Sequence, residues 1–252
     1  IEEIVLKDSA NIQEEDAIRA NKEGYSRHKK ALPLYTVKDV EHTVTLFQPV
    51  QMGEWIKMTK DFSYRFQYVG HILGATFIEL DIKGKRFVFS GDVGRETELL
   101  LSAPHKPDKA DVLVIESTYG DRLHPNIDEK EKLSKLVNET YHKGGNIIIP
   151  SFAVERTQTL MFLLWQLVAE KRIPHLPMIM DSPMGSSVLN VFRQYKDWHK
   201  LSLSDCERMI DAFRVVKEYP ETMEIIQDKN PKLIIAGSGM VRVDLEQRRH
   251  GL

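Results

Sequence analysis

The stretch Gly70-His71-Ile72-Leu73-Gly74-Ala75-Thr76-Phe77-Ile78-Glu79-Leu80 sets a histidine in a glycine-rich turn directly before an apolar run. Two later segments also end an apolar strand pattern on a chemically active side chain. Phe87-Val88-Phe89-Ser90-Gly91-Asp92-Val93-Gly94-Arg95 delivers Asp92, and Asp111-Val112-Leu113-Val114-Ile115-Glu116-Ser117-Thr118-Tyr119-Gly120 delivers Glu116. Strand ends in layered α/β folds are where loops carry chemistry. A His, an Asp and a Glu so placed are candidate ligands or proton-transfer groups for a hard or borderline metal.

Around these segments the pattern is that of an α/β chain. Phe62, Tyr64, Phe66 and Tyr68 alternate with Ser63, Arg65 and Gln67, the period of a half-buried strand. Strands at 76–82 and 86–90 follow, joined by the tight turn Lys83-Gly84-Lys85. Residues 112–115 are almost continuously apolar, which predicts a strand buried on both faces. Upstream, residues 1–48 read as helical, with Thr36 as N-cap of a second helix and Asp39 at the capping-box position. From Asp121 helices and strands alternate: helix 128–141, strand 146–149, helix 154–170, strand 178–180, helix 185–195 and, after mixed helical segments, strand 232–236. Such βα repetition argues a parallel sheet covered by helices.

Composition narrows the classes. A hydrophobic fraction of 42% and a charged fraction of 29% are those of a soluble globular protein. With 35 basic against 37 acidic residues, the net charge of -2 gives no support for a surface that is basic throughout, so any RNA contact must gather its cations locally. The single cysteine, Cys206, excludes an internal disulfide and a Cys-rich zinc site, suits a reducing compartment and reads as a packed thiol. No apolar run approaches the ~18 residues of a membrane span. The acidic, polar N-terminus does not read as a signal peptide, so the expected location is cytoplasmic. His28 and His42 read as surface or packing histidines, and Phe162, Leu163, Trp165 and Leu167 as core.

The three acid and imidazole segments resemble the metallo-β-lactamase superfamily, and within it the β-CASP nucleases, which include the RNase J group and the mRNA 3′-end-processing endonucleases. The resemblance runs on through Gly144-Gly145-Asn146-Ile147-Ile148-Ile149-Pro150-Ser151-Phe152-Ala153-Val154-Glu155-Arg156, Asp181-Ser182-Pro183-Met184 and Ala236-Gly237-Ser238-Gly239-Met240. It is strong from about Tyr68 to Met240, and the order and spacing of the motifs are more specific than any one of them. The fold it implies is part of an αββα metallo-β-lactamase sandwich at residues 1–120, followed at 121–252 by a β-CASP domain with a helix-covered parallel sheet.

The resemblance also implies roles. His71 matches a zinc-binding histidine, although a histidine closing a loop by hydrogen bonds fits the same turn. Asp92 matches a carboxylate bridging two zinc ions about 3.5 to 4 Å apart; an Asx-turn is the plainer reading. Glu116 matches an acid that orients a leaving-group histidine rather than binding metal. Arg156, at a helix N-terminus, suits either a phosphate contact or an inter-domain ion pair. Ser182, Ser186, Ser187 and the turn Gly237-Ser238-Gly239 invite the same phosphate reading.

The His-x-His-x-Asp-His signature that supplies most of the family's zinc ligands is absent from the sequence, and its place falls upstream of Ile1. Two further histidine motifs are expected beyond Leu252; Arg248-Arg249-His250-Gly251 does not match either. The leading expectation is therefore a zinc-dependent phosphodiester hydrolase of the β-CASP type acting on RNA, with this chain an incomplete copy that is inactive alone. The alternative is a catalytically inactive scaffold that partners an active homologue. A lactamase-fold hydrolase of small molecules is a third reading, disfavoured by the β-CASP-like half. The implied partners are single-stranded RNA, with DNA second, no membrane, and a homo- or heterodimer mate.

Overall fold

The computed structural model describes residues 1–123 and 127–237, and its contacts separate a unit at Ile1–Gln51 from a unit beginning at Met52. The first unit holds two helices that pack on one another. Helix α1 (Glu2–Glu23) stops at Gly24, whose φ of 73° turns its N–H back onto the Ala20 carbonyl. Helix α2 (Val37–Val44) starts on the complete capping box expected from the sequence. Thr36 Oγ1 accepts from the Asp39 N–H at 3.3 Å, and the Asp39 carboxylate accepts from the Thr36 N–H at 2.8 Å. Between the helices, Asn21 clamps the connection by donating to the Ala31 carbonyl and accepting from the Ala31 N–H.

The second unit contains two sheets. The first comprises β1 (Ile56–Thr59), β2 (Phe62–Tyr68), β3 (Thr76–Ile82), β4 (Lys85–Phe89) and β5 (Val112–Val114), side by side in chain order. Its first four strands are antiparallel, and β5 joins parallel to β4. The β3–β4 turn is as tight as expected. Ile82 pairs with Lys85, leaving Lys83 and Gly84 at φ of 53° and 79°, the left-handed pair that a two-residue hairpin loop requires.

The second sheet is built from β6 (Ile147–Pro150), β7 (Met178–Asp181), β8 (Arg214–Val215) and β9 (Leu233–Ala236), in the order β6-β9-β7-β8 and wholly parallel. Helices α3 (Glu129–His142), α4 (Arg156–Ala169), α5 (Pro183–Gln194), α6 (Leu203–Asp211) and α7 (Tyr219–Gln227) fill the connections. The alternation read from the sequence after Asp121 is therefore a parallel α/β layer. Asp128, Ser182 and Ser202 cap α3, α5 and α6, and Gly144 at φ 70° closes the exit from α3. The buried apolar core is drawn from Met161, Leu164 and Leu167 of α4, Val188 and Phe192 of α5, Met209 of α6, and Met180, Leu233 and Ile235 of the strands. Cys206 is buried in α6, as expected, and burial raises its thiol pKa. Leu163 and Leu167 are core; Phe162 and Trp165 are half-buried and tilted against each other at 5.9 Å. Among the described residues no helix is long and apolar enough to cross a membrane.

Two expectations need correction. Strand β5 is not buried on both faces: Val112, Leu113 and Val114 are 42%, 53% and 50% exposed, and Ile115 is 62% exposed. The physical reason is its place in the sheet, because β5 is an edge strand whose one described neighbour is β4. Strand β2 also lacks a clean inside and outside. Its residues are half-buried on both faces until Tyr68, since Arg65 is drawn inward by Glu79.

Glu79 is fully buried in the middle of β3, where a lone carboxylate would be costly. It is accommodated by Arg65 Nε and by Arg86 Nη1 at 3.5 Å, from the strands on either side. The two guanidiniums lie 4.8 and 4.3 Å from the centre of the Trp55 ring, which adds cation–π attraction. Glu79→Ala should therefore cost ~3–5 kcal/mol, because Arg65 and Arg86 lose the buried carboxylate they share and keep only the more exposed Asp108 and Asp81, each at 3.5 Å. Urea denaturation measures this, and a loss under ~1 kcal/mol would show that the cluster relaxes into solvent.

Candidate active site

The loops after β2 and β4 are brought together by two glycines. Gly94 lies so close to the first loop that a Cβ on it would stand 1.9 Å from the Gly70 carbonyl oxygen and 2.8 Å from the His71 nitrogen. The Gly94 N–H donates to the Val69 carbonyl at 3.0 Å, which locks the approach. Gly70 has a φ of 65°, and a Cβ there would meet the Ser102 carbonyl oxygen at 2.6 Å. Gly91, at φ 56°, turns the chain sharply out of β4.

The consequence is that His71 and Asp92 face each other, with Nε2 and Oδ2 3.7 Å apart and both side chains open to solvent. Glu116 joins them from the end of β5. Its Oε1 accepts from the Val93 N–H at 2.7 Å, its Oε2 accepts from the Thr118 hydroxyl at 2.7 Å, and its own N–H donates to Ser90 Oγ at 3.1 Å. The Val93 N–H above all, then the Thr118 hydroxyl, hold the Glu116 carboxyl below its ordinary range, and the His71 imidazole is near enough to add to the effect. Glu116 is thus an ionised anchor that ties the Asp92 loop to the end of β5. Each of its oxygens keeps acceptor capacity beyond the hydrogen bond it already takes.

As a metal centre this arrangement is partial. His71 offers an imidazole nitrogen and Asp92 a carboxylate, the donor types that zinc accepts, but an open catalytic zinc site uses three protein ligands. Among the described residues no group of three or more His, Cys, Asp or Glu side chains could hold a metal ion. The residues present fit one side of a metal site and do not complete it.

The other candidates lie on the parallel sheet. Pro150, Asp181 and Ala236 are register partners at the carboxyl ends of β6, β7 and β9, so Ser151, Ser182 and Gly237 leave the sheet at one edge. That edge is where open α/β sheets commonly bind ligands. Arg156 begins α4 with its side chain exposed, and Ser186 is half-exposed on the first turn of α5. Ser182 is buried and already accepts from the Gly185 N–H at 3.1 Å as the cap of α5. The Ser187 hydroxyl turns back toward the Pro183 carbonyl. Ser238, Gly239 and His250 lie outside the described residues. His28 and His42 are exposed, away from these residues in sequence and in the separate N-terminal unit.

Residues 157–245 match the family described as the Beta-Casp domain. The chain is 30% identical over 261 residues to "Ribonuclease TTHA0252" of Thermus thermophilus, covering 99% of this chain and 56% of that protein. It is 29% identical over 213 residues to "RNase J-like protein" of Methanocaldococcus jannaschii, covering 82% and 50%. It is 30% identical over 190 residues to "Endoribonuclease YSH1" of Saccharomyces cerevisiae, covering 71% and 24%. The chain belongs to the metallo-β-lactamase β-CASP family. It spans about half the length of the first two of these relatives.

Within this β-CASP chain, several residues that shape the site escaped the sequence reading. Gly94 was visible only as part of a motif, although its lack of a Cβ decides how closely the two loops approach. Ser90 spends its hydroxyl on the Gly91 carbonyl while receiving the Glu116 N–H, a link between strand ends that no spacing announces. Glu155 sits at a backbone conformation usually left to glycine.

Gly94→Ala is expected to destabilise the β-CASP chain by at least ~1–3 kcal/mol, because the added methyl meets backbone rather than a side chain that can move. Chemical denaturation reads this out, with Gly144→Ala as the comparison, since a Cβ there meets nothing within 4 Å and only its φ of 70° resists. A second expectation concerns acid. A carboxyl whose folded pKa is depressed adds stability above its ordinary value of 4.5, and this is lost as pH falls through the lower folded value. The Tm gap between the native chain and Glu116→Gln should therefore be open at neutral pH and close below about pH 4.5. A gap independent of pH would detach Glu116 from the Val93 and Thr118 contacts.

Proposed function

We propose that this chain forms part of a zinc-dependent β-CASP ribonuclease that hydrolyses phosphodiester bonds in single-stranded RNA, in the cytoplasm. The observation that carries the reading is the His71–Asp92 pair at 3.7 Å beside an ionised Glu116, in a chain whose relatives bear ribonuclease names. Residues 1–120 are assigned to the lactamase-type part and 121–252 to the β-CASP part.

In this reading His71 and Asp92 are metal donors, and the remaining ligands come from residues beyond those described. Bound zinc would supply a water acidified enough to attack phosphorus at neutral pH. Glu116 holds the Asp92 loop through Val93 and keeps an acceptor site on each oxygen for the N–H of a histidine that protonates the leaving oxygen. Arg156 and the first turn of α5 would receive substrate phosphates, because a helix N-terminus presents free N–H groups and a favourable dipole. The capped hydroxyl of Ser182 would act there by shaping that turn more than by direct contact.

One observation favours a second reading. With no three-donor group among the described residues, the chain could serve as a non-catalytic partner of an active homologue. Cleavage of end-labelled single-stranded RNA by the protein as its cells produce it separates the two. The ribonuclease reading expects metal-dependent cleavage that Asp92→Ala abolishes while circular dichroism stays native. Full turnover by the Asp92→Ala protein would remove Asp92 from the site, and no cleavage by the native protein would leave the partner reading.

A further inference from the structure

Glu155 stands where α4 begins, and three independent features set it apart. Its φ of 66° and ψ of -53° place it at the centre of a γ-turn, closed by the Arg156 N–H donating to the Val154 carbonyl at 2.9 Å. That conformation is rare and strained for any residue with a Cβ. Its side chain makes no helix-capping hydrogen bond. Its Oε2 is buried with no hydrogen-bond partner. A glutamate held in strain, with an orphaned oxygen turned inward, must be retained by what surrounds it.

Those surroundings belong to the other sheet. The Glu155 carboxyl is felt by the Tyr68 hydroxyl at the end of β2, and it faces the Glu98 carboxylate on the loop after β4. These two elements lead into His71 and out of Asp92. The charged and titratable groups along this seam are few. Glu98 is 3.8 Å from Arg95 Nε, Lys200 Nζ donates to the Glu98 carbonyl at 2.6 Å, and the His105 ring lies 5.7 Å from that of Tyr68. Arg156 is the neighbour on α4 and is exposed. Trp198 packs on Tyr68 at 5.8 Å and Lys200 N–H donates to the Leu100 carbonyl at 2.7 Å, so the seam is a packed junction.

We propose that Glu155 in its neutral form is the positioning residue that seats the N-terminus of α4, with Arg156, against the end of β2 and the loop after β4. Burial first, then the Glu98 charge, push its pKa up to about 7, against a hydrogen bond with Thr159 that pulls it down. Near neutral pH the carboxyl therefore changes state. Neutral, it tolerates burial beside Glu98; ionised, it is repelled by Glu98 and seeks water, and the α4 terminus is loosened. The unfolded carboxyl titrates near 4.5, so between that value and about 7 the folded chain binds the extra proton, and stability falls as pH rises through this window. The effect on Arg156 rests on the ribonuclease reading above; the seating itself does not.

The test compares the native chain with Glu155→Gln, which stays neutral at every pH, and Glu155→Gly, which relieves the γ-turn but removes the side chain. Thermal unfolding and amide hydrogen exchange at residues 156–160 and 98–102 are followed from pH 5.5 to 8.5. The native chain should lose at least ~2–4 °C of Tm more than Glu155→Gln across that range, with faster exchange in both segments. Glu155→Gly should exchange fast at every pH, while Glu155→Gln retains the slow exchange of the native chain at low pH. Parallel pH profiles for the native and Gln chains would overturn the proposal, as would slow exchange in Glu155→Gly. Anisotropy of a labelled single-stranded RNA is measured on the same samples. Affinity falling at least about fivefold more in the native chain than in Glu155→Gln ties the seating to phosphate binding. Absent RNA binding at every pH, alongside the Tm and exchange differences, would overturn the RNA reading and leave the seating intact.

Discussion

The approach of Gly94 to Gly70 is the contact on which the candidate site depends. Two backbones that meet with no side chain between them bring the ends of β2 and β4 together, and their first free side chains, His71 and Asp92, are left facing each other. The hydrogen bond from the Gly94 N–H to the Val69 carbonyl and the anchoring of Val93 by Glu116 hold that approach from two sides. The geometry is therefore set before any ligand arrives, which is what a binding site on loops needs from its scaffold.

The two sheets serve this arrangement differently. The five-stranded mixed sheet balances a buried carboxylate, Glu79, against two arginines and a tryptophan, and carries the acid and imidazole groups at its strand ends. The parallel sheet is stabilised by ordinary apolar burial under α4 to α7 and presents helix N-termini at its carboxyl edge. The seam between them passes through Tyr68, Trp198, Glu98, Lys200 and Glu155, so a change there acts on both sets of candidate residues.

Much of this was legible in the sequence because it rests on local rules. The Thr36–Asp39 capping box, the Lys83-Gly84 turn and the helix start at Asp128 are each determined within four residues of chain, and each was found where the pattern placed it, whereas α5 begins at Pro183 on a Ser182 cap, two residues before the expected start at 185. The parallel sheet followed from the βα rhythm. The placement of His71, Asp92 and Glu116 at strand ends was readable too, because each follows an apolar run, with Gly70 and Gly91 turning the chain just before His71 and Asp92. What was hidden depends on distant partners. The apolar sequence of β5 describes what the strand could bury, whereas its exposure depends on which strands lie beside it. Glu155 looked like one more charged residue at a helix start, and only the fold brings it near enough for its charge to act on Tyr68 and for that of Glu98 to act on it. Donors beyond His71 and Asp92 were not found, because no local pattern in the described residues supplies them.

The central claim is that His71 and Asp92 act together as metal donors. Titrating zinc into this chain while following each histidine imidazole by two-dimensional NMR tests it most directly. The account predicts that the His71 resonances respond first and that Asp92→Ala abolishes their response, while those of His28, His42 and His175 stay indifferent at the same zinc concentration. A His71 signal unmoved by zinc, or one that moves equally with and without Asp92, would contradict it.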